Sequence, residues 1–106
     1  MRFLLSLLML SLALPGLART GEPAPARQAE LQNLLVQDCG SCHGLKMRGG
    51  LGPALLPQNL QGRPDEMLVA TIIHGRHGTA MPAWQALLSD DDARWMVRSL
   101  RRGVGP

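Results

Sequence analysis

Residues 39–43 read Cys39-Gly40-Ser41-Cys42-His43, so two thiols are separated by two residues and followed at once by an imidazole. On a helix, residues three apart lie on the same face, which brings both sulfur atoms to one side of the chain. There they can reach the two vinyl groups of one porphyrin, while the adjacent imidazole reaches the iron. The spacing C-x-x-C-H is typical of covalent haem attachment. It predicts one haem c bound through Cys39 and Cys42, with His43 as the proximal iron ligand.

Other uses of these cysteines require features that the chain does not offer. A structural disulfide, common in exported proteins, would close a very small loop and leave the adjacent imidazole unexplained. A thioredoxin-type C-x-x-C site needs strands alternating with helices, a pattern that the sequence lacks. A Cys2His2 zinc site could draw on His74 and His77, but their distance along the chain exceeds the usual ligand spacing. Haem attachment is the interpretation that uses all three side chains of the motif.

The N-terminal segment has the pattern of an export signal. Arg2 precedes an apolar run over residues 3–14, and small residues occupy positions Gly16 and Ala18. We expect a signal peptide over residues 1–18, cleaved after Ala18. An uncleaved membrane anchor is the alternative. The apolar run over residues 3–14 is twelve residues long, whereas a membrane-spanning helix needs about 20 residues. The expected location is therefore the periplasm, without a stable membrane span.

The part of the chain after the signal is small and poor in aromatic residues, with Trp84 and Trp95 as its large aromatic side chains. A domain of this size usually needs a covalent staple or a cofactor to complete its core, and a bound haem suits that need. The net charge of +3 falls by one unit when Arg2 is removed with the signal. Because no basic stretch carries interleaved aromatic residues, nucleic acid is not an expected partner.

The patterning after the signal predicts helices joined by long loops. Residues 19–27 are rich in Pro and Ala and predict a flexible leader before a domain over residues 28–106. A helical period from about residue 26 to residue 38 carries a leucine stripe into the attachment motif. Residues 44–64 are broken by Gly and Pro throughout and predict a loop that wraps the haem. The leucines expected to contact the haem are Leu45, Leu51, Leu55, Leu56 and Leu60.

Two further helices are predicted. One is opened by Asp65 and Glu66 and runs to about His74; its apolar sequence predicts deep burial, with Met67 in the core. The other is capped by Ser89, carries acidic residues in its first turn, and ends at Gly103. Its later turns hold four arginines that either dock an acidic partner or form a solvated end matched to the helix dipole. They are Arg94, Arg98, Arg101 and Arg102.

A His-ligated haem iron raises the question of the ligand on its opposite face. Met81 is the leading candidate, because it lies in a loop stiffened by Pro82 and placed between the last two predicted helices. A thioether ligand favours ferrous iron and raises the reduction potential, and this arrangement is used for electron transfer. His77, in the same loop, is the main alternative and His74 a lesser one, and Met81 could instead be an ordinary core residue. An empty sixth position would allow ligand binding.

Taken in order, these motifs resemble the class I monohaem cytochromes c over about residues 26–102. The resemblance rests on residues 39–44, Gly52-Pro53-Ala54-Leu55, Met81-Pro82-Ala83-Trp84 and Leu88-Ser89. It implies an all-α cytochrome c fold, with the first and last helices crossing and long loops around one covalently bound haem. It also implies His43 and Met81 as the axial pair.

The same resemblance implies that the carbonyl of Pro53 accepts a hydrogen bond from the His43 imidazole and so orients the ring. One position departs from the family pattern. Ser99 stands just before the final leucine of the last helix, where the family usually has an aromatic residue. Trp95, one turn earlier, can fill that space.

More narrowly, residues 38–57 and 78–84 resemble the NirC type, short periplasmic cytochromes encoded beside haem c/haem d nitrite reductases of denitrifying bacteria. The resemblance implies a monomeric electron-transfer protein without catalytic residues, whose redox partner is a protein such as nitrite reductase. Two alternatives stay open. The chain could act in maturation of the specialised haem of that reductase, or it could be a ligand-binding haem protein with an exchangeable sixth ligand.

Overall fold

The computed structural model describes residues 21–104, so the predicted export signal over residues 1–18 lies outside the described part. The helical elements are α1 (Pro25–Leu34), a π-helical segment (Leu35–Cys39), α2 (Gly40–His43), α3 (Pro57–Leu60), α4 (Asp65–His74) and α5 (Asp90–Arg102). Between residues 21 and 104 there is no strand, which confirms the predicted all-α class. Within the same range, no helix has the length and apolar character needed to cross a membrane.

The first helix is longer than predicted at both ends. Pro25 starts it inside the predicted leader, because proline already has the backbone angle of a first helical residue and lacks an N–H that would need a partner. The helical path then continues through the π-helical segment and α2 as far as His43. Gly44 ends it with a φ of 92°, a conformation that favours glycine. The attachment motif therefore forms the last turn of the helical run, so the helical spacing assumed for its two thiols applies, and the run extends past the predicted end at about residue 38.

The core forms around α5, which contacts α1, α3 and α4. Ser89 caps α5 as predicted: its Oγ accepts from the backbone N of Asp92 at 3.1 Å, and its own N donates to Asp92 Oδ2 at 3.1 Å. This reciprocal pair satisfies two of the free N–H groups at the helix start. The buried apolar side chains of α5 are Ala93, Trp95, Met96, Val97 and Leu100. From α1 and the segment that follows it, Leu31 and Leu35 enter the same core.

Ser99 is the position that departs from the family pattern, and its side chain is buried, at 5% exposed. Its hydroxyl accepts a hydrogen bond from Nη2 of Arg102 at 3.1 Å, so this buried polar group is satisfied within its own helix. Trp95 is also buried. The buried serine therefore has a hydrogen-bond partner within α5.

Three arginines of α5 form ion pairs with carboxylates of the same chain. Arg94 pairs with Glu66, Arg98 with Glu22, and Arg101 with Asp65. Arg101 also donates to the backbone carbonyls of Leu60 at 3.1 Å and Arg63 at 2.6 Å. Three of the four arginines are therefore paired with carboxylates at the surface, and docking of an acidic partner stays a prediction. Their pairing with α4 and with the residue-22 region was not visible in the sequence, because it follows from the packing of the helices.

Two predictions about the middle of the chain are corrected by the structure. The loop over residues 44–64 contains α3, a single helical turn that starts at Pro57. Helix α4 has the predicted bounds, but it buries only Val69 and Ile73 and leaves Met67 43% exposed. One face of α4 packs against α5, and Leu68 and Ile72 are partly buried against the core. Met67 is thus not a core residue.

Candidate haem-binding site

Cys39 and Cys42 are both free thiols at the end of the first helical run. Cys39 closes the π-helical segment and is half-buried, whereas Cys42 lies in α2 and is exposed. The turn between them is held by Ser41, whose Oγ donates to the carbonyl of Asp38 at 2.6 Å. The two cysteines are not joined in a disulfide, so that alternative has no support in the structure.

The environment of Cys39 keeps its thiol protonated. Burial raises the pKa of Cys39 to about 11, and the negative charge of Asp38 acts in the same direction. A raised pKa lowers the fraction of thiolate in the metal-free protein. Between residues 21 and 104, no three side chains of the His, Cys, Asp or Glu type come together as a metal cluster. In this range the cysteines therefore do not meet His74 and His77, as a Cys2His2 site would require, and there is no strand, as a thioredoxin-type site would require.

The imidazole of His43 is oriented by the chain itself. Its Nδ1 lies 2.7 Å from the carbonyl oxygen of Pro53. A carbonyl can only accept a hydrogen bond, so Nδ1 carries the proton and Nε2 keeps a free lone pair. A ring held in this tautomer can offer Nε2 to a metal ion. The structure thus brings Cys39, Cys42, His43 and Pro53 into one contiguous group.

The loop after the motif is fastened to the end of α2 by backbone hydrogen bonds. The N–H of Gly49 donates to the carbonyl of His43 at 2.7 Å, and that of Gly52 donates to the carbonyl of Cys42 at 2.9 Å. These bonds satisfy carbonyls that a helix end leaves without partners. They also place Gly52 directly beside the imidazole: a Cβ atom there would lie 2.9 Å from both Cε1 and Nδ1 of His43. The sequence singled out Pro53 but missed this role of the preceding glycine.

Met47 anchors the same loop from the inside. Its side chain is 1% exposed and its φ is 56°, an uncommon value for a residue with a side chain. The conformation is held on both sides, because Met47 N donates to Gly44 O at 2.9 Å and Met47 O accepts from Leu55 N at 2.9 Å. Met47 is therefore a core residue, and its side chain packs inside the protein.

Met81 lies on a separate segment, in the loop between α4 and α5. Its side chain is half-buried, whereas His74 and His77 are exposed. The loop is closed at its base by a hydrogen bond from Arg76 N to Met81 O at 3.2 Å. Thr79 supports it further, since its Oγ1 accepts from Met81 N at 3.2 Å and donates to Arg76 O at 2.8 Å. The segment that carries Met81 is therefore held in one backbone conformation.

These residues fit a covalently bound haem. Two sulfur atoms sit three positions apart on a helical turn, an imidazole nitrogen is free for iron, and Gly52 leaves room at the ring. Apolar side chains that are only partly covered by the protein are available to contact a porphyrin. They include Leu55, Leu56, Leu68, Ile72 and Trp84. Of the loop leucines expected at the haem, Leu60 is instead buried in the protein core, while Leu45 and Leu51 are 62% and 94% exposed.

Comparison with known proteins places the chain in a defined group. The family described as cytochrome c oxidase, cbb3-type, subunit III matches residues 26–98. Cytochrome c55X of Pseudomonas aeruginosa is 59% identical over 90 residues, which are 85% of this chain and 75% of that protein. A solved structure of the c-type cytochrome NirC superposes with a TM-score of 0.77 at 58% identity, covering 79% of this chain and 100% of that one.

A larger protein contains a similar unit. The structure of the dihydro-haem d1 dehydrogenase NirN in complex with DHE matches with a TM-score of 0.63 at 35% identity. The match covers 68% of this chain but 16% of that one. The likeness is thus to one small part of that enzyme.

Proposed function

Because the chain belongs to the cytochrome family described as cytochrome c oxidase, cbb3-type, subunit III, and within it to the small NirC-type cytochromes, we propose that it is a periplasmic one-electron carrier with His43 and Met81 as axial iron ligands. As a c-type cytochrome it carries covalently bound haem c and transfers electrons. Like its relatives NirC and cytochrome c55X, it is a carrier and not an enzyme. The proposal concerns the ligands, the location and the partner.

The observation that carries the proposal is the 2.7 Å contact between His43 Nδ1 and the carbonyl oxygen of Pro53. The carbonyl holds the proton on Nδ1 and leaves Nε2 free, so His43 would hold the haem iron through Nε2, with a ring made more basic by this hydrogen bond. Gly52 admits the ring at this distance, since any larger residue would overlap with it. Haem iron supplies reversible one-electron chemistry, and the protein contributes ligands, orientation and a water-poor pocket.

Met81 is proposed as the ligand on the other face. Its side chain is half-buried on a loop whose backbone is closed by hydrogen bonds, whereas His77 and His74 are exposed. Ordered placement lowers the entropy that a ligand loses when it binds the iron. A thioether stabilises ferrous iron and so raises the reduction potential, which favours uptake of an electron and restricts its transfer to acceptors of higher potential.

Nitrite reductase is proposed as the electron acceptor, on the basis of the likeness to NirC. A second candidate is supported by the match to a segment of dihydro-haem d1 dehydrogenase, an enzyme named for a modified haem. In that role the chain would take up electrons during maturation of the specialised haem of the reductase. A strain lacking the gene separates the two: intact reductase that is starved of electrons supports the carrier, whereas reductase without its specialised haem supports maturation.

The ligand assignment is tested by the absorption spectrum of the oxidised holoprotein. A far-red charge-transfer band between sulfur and iron is expected in the unaltered protein and should be absent in Met81→Ala. Met67→Ala, which removes an exposed methionine of α4, is the matched control and should keep the band. If the unaltered protein lacks the band, or if its reduced form binds carbon monoxide readily, Met81 is not the ligand and His77 or an open position takes its place.

A further inference from the structure

We infer that Gly75 is a positioning residue for Met81: the absence of a side chain at Gly75 sets where the backbone of residues 81–83 lies, and so where the Met81 sulfur is presented. The inference rests on the proposed role of Met81 as an iron ligand. It goes beyond that role, because it concerns a residue six positions away that contacts no haem ligand through a side chain.

Gly75 follows the last residue of α4 and has a φ of 68°. Its N–H donates to the carbonyl of Thr71 at 2.9 Å, which fixes it to the helix end. A Cβ atom at this position would lie 2.7 Å from Met81 O, 2.7 Å from Pro82 C and 2.8 Å from Ala83 N. All three are backbone atoms, so the overlap cannot be relieved by turning a side chain.

The strain of such an overlap would fall on the segment that carries Met81, because this segment is anchored on both sides. Before it, Arg76 N donates to Met81 O at 3.2 Å; after it, Trp84 N donates to Ile72 O at 3.1 Å. The hydrogen bond of Trp84 therefore joins this segment to the C-terminal end of α4, the same end to which Gly75 is bound. A group inserted at Gly75 must therefore push residues 81–83 outward between two fixed points, and the methionine side chain moves with them.

An iron–thioether bond is weak and directional, so a displacement of a few tenths of an ångström at the backbone reaches the ligand directly. The same loop offers a control. Gly78 has a φ of 75°, close to that of Gly75, but a Cβ atom there would meet nothing within 4 Å. Alanine at either position carries the cost of a positive φ, and at Gly75 the ψ of −167° adds to that cost. Only at Gly75 does alanine also collide with the segment that carries Met81.

The experiment measures displacement of Met81 by imidazole in the oxidised holoprotein, followed by loss of the far-red sulfur–iron band. In Gly75→Ala, we expect imidazole to displace the ligand at about tenfold lower concentration, a change of about 1.4 kcal/mol in the ligand equilibrium. In Gly78→Ala we expect a change of no more than about threefold, equal to about 0.7 kcal/mol. The reduction potential should fall in Gly75→Ala and stay near that of the unaltered protein in Gly78→Ala.

If imidazole displaces the ligand equally easily in both variants, the effect is due to backbone conformation and the inference is overturned. The assignment of Met81 as the ligand would still stand in that case, provided that the far-red band is present in the unaltered protein and lost in Met81→Ala. Should Gly75→Ala not yield holoprotein, Gly75→Asn is used, because asparagine is among the residues with a side chain that most often take a positive φ, and it still brings the Cβ atom. An unaltered imidazole response in Gly75→Asn also overturns the inference. If the unaltered protein has no far-red band, the ligand assignment itself fails.

Discussion

Arg27 and Asp92 are joined across 65 positions of the chain, with Nη2 donating to Oδ2 at 2.9 Å and Nε donating to the same oxygen at 3.3 Å. The same Nη2 also donates to the carbonyl of Leu87 at 2.8 Å. One guanidinium therefore connects the first turn of α1, the first turn of α5 and the loop before α5. A planar group with several fixed donors can make such a contact, whereas the ammonium of lysine cannot reproduce its geometry.

This contact gives the free energy of unfolding a dependence on pH. Burial of Asp92 opposes ionisation, but hydrogen bonds from Arg27 and from the Ser89 backbone, with the charge of Arg27, outweigh it and lower the pKa of the carboxyl. Because the folded pKa lies below the ordinary value of 3.8, the stabilisation is complete above that pH and is lost as the pH falls through the folded pKa. Asp92→Asn should cost about 1–3 kcal/mol near neutral pH and flatten the acid side of the profile.

Denaturant unfolding of the holoprotein between about pH 7 and about pH 2 measures this contribution. Asp91→Asn is the control, because Asp91 is an exposed carboxylate in the same helical turn. Its pH profile should follow that of the unaltered protein. A steep acid loss that persists unchanged in Asp92→Asn would assign the effect to other carboxylates.

Gly52→Ala should disturb the proximal imidazole. The added methyl group would lie 2.9 Å from the ring of His43, so the ring must turn and its bond to Pro53 must weaken. A less basic imidazole stabilises ferric iron less, and the reduction potential should therefore rise. The overlap should also lower the free energy of unfolding by about 1–3 kcal/mol.

Potentiometric titration of the holoprotein tests the change at His43. Gly62→Ala is a useful comparison, because Gly62 has a φ of 75° and a Cβ atom there would meet nothing within 4 Å. That variant should lose stability without a change in potential. Equal potentials in the unaltered protein and Gly52→Ala would show that the ring tolerates the methyl group.

The arginines of α5 should differ in their effect on stability. Arg98 pairs with Glu22 at the surface, so Arg98→Gln should cost less than about 1 kcal/mol. Arg101 also donates to Leu60 O and Arg63 O, so Arg101→Gln leaves backbone carbonyls without their donor and should cost about 1–3 kcal/mol. Thermal unfolding of both variants gives the ranking, and the reverse order would contradict it.

The same two variants address docking. Because both side chains are occupied within the molecule, neutralising either one should leave the salt dependence of electron transfer nearly unchanged. Rates of electron exchange with a purified redox partner over a range of ionic strengths measure this. If the electron-transfer rate of Arg98→Gln depends markedly less on ionic strength than that of the unaltered protein, the arginines of α5 contribute to docking.

The contact of the first helix with the core should depend strongly on Leu31, which is 0% exposed. Leu31→Ala should lower the free energy of unfolding by about 2–5 kcal/mol, since it removes buried methyl groups and leaves a cavity. Gln32→Ala, at the exposed neighbouring position, should change it by less than about 0.5 kcal/mol. Denaturant unfolding of both holoproteins measures the difference.

Local signals predicted the elements whose causes are local. The bounds of α4 follow from Pro64 and the two acids after it, and the start of α5 follows from Ser89, as the structure confirms. The short helix α3 was missed because four residues starting at Pro57 carry no period that distinguishes them from a loop. The exposure of Met67 was missed because an apolar sequence does not say which of its faces will find a partner.

The candidate site divides in the same way. Cys39, Cys42 and His43 were evident because attachment chemistry demands adjacent residues, and Pro53 followed from the resemblance to class I cytochromes c. The close approach of Gly52 to the imidazole and of Gly75 to residues 81–83 could not be predicted, because each depends on two segments meeting in space. Met81 as the distal ligand stays a prediction.

The π-helical segment just before the attachment motif makes this stretch the one place where the first helical run can lose a residue. Over Leu35–Cys39 the helix is wider than an α-helix and accommodates one more residue in the turn. Deleting a single residue here would let the segment close into a regular α-helix, and the residues on either side would keep their faces. The same deletion in a regular turn of α1 would rotate everything after it by about 100° around the helix axis, and both thiols and the imidazole would turn away from the core together. A one-residue deletion should therefore be tolerated better within the π-helical segment than in the α-helical turns before it.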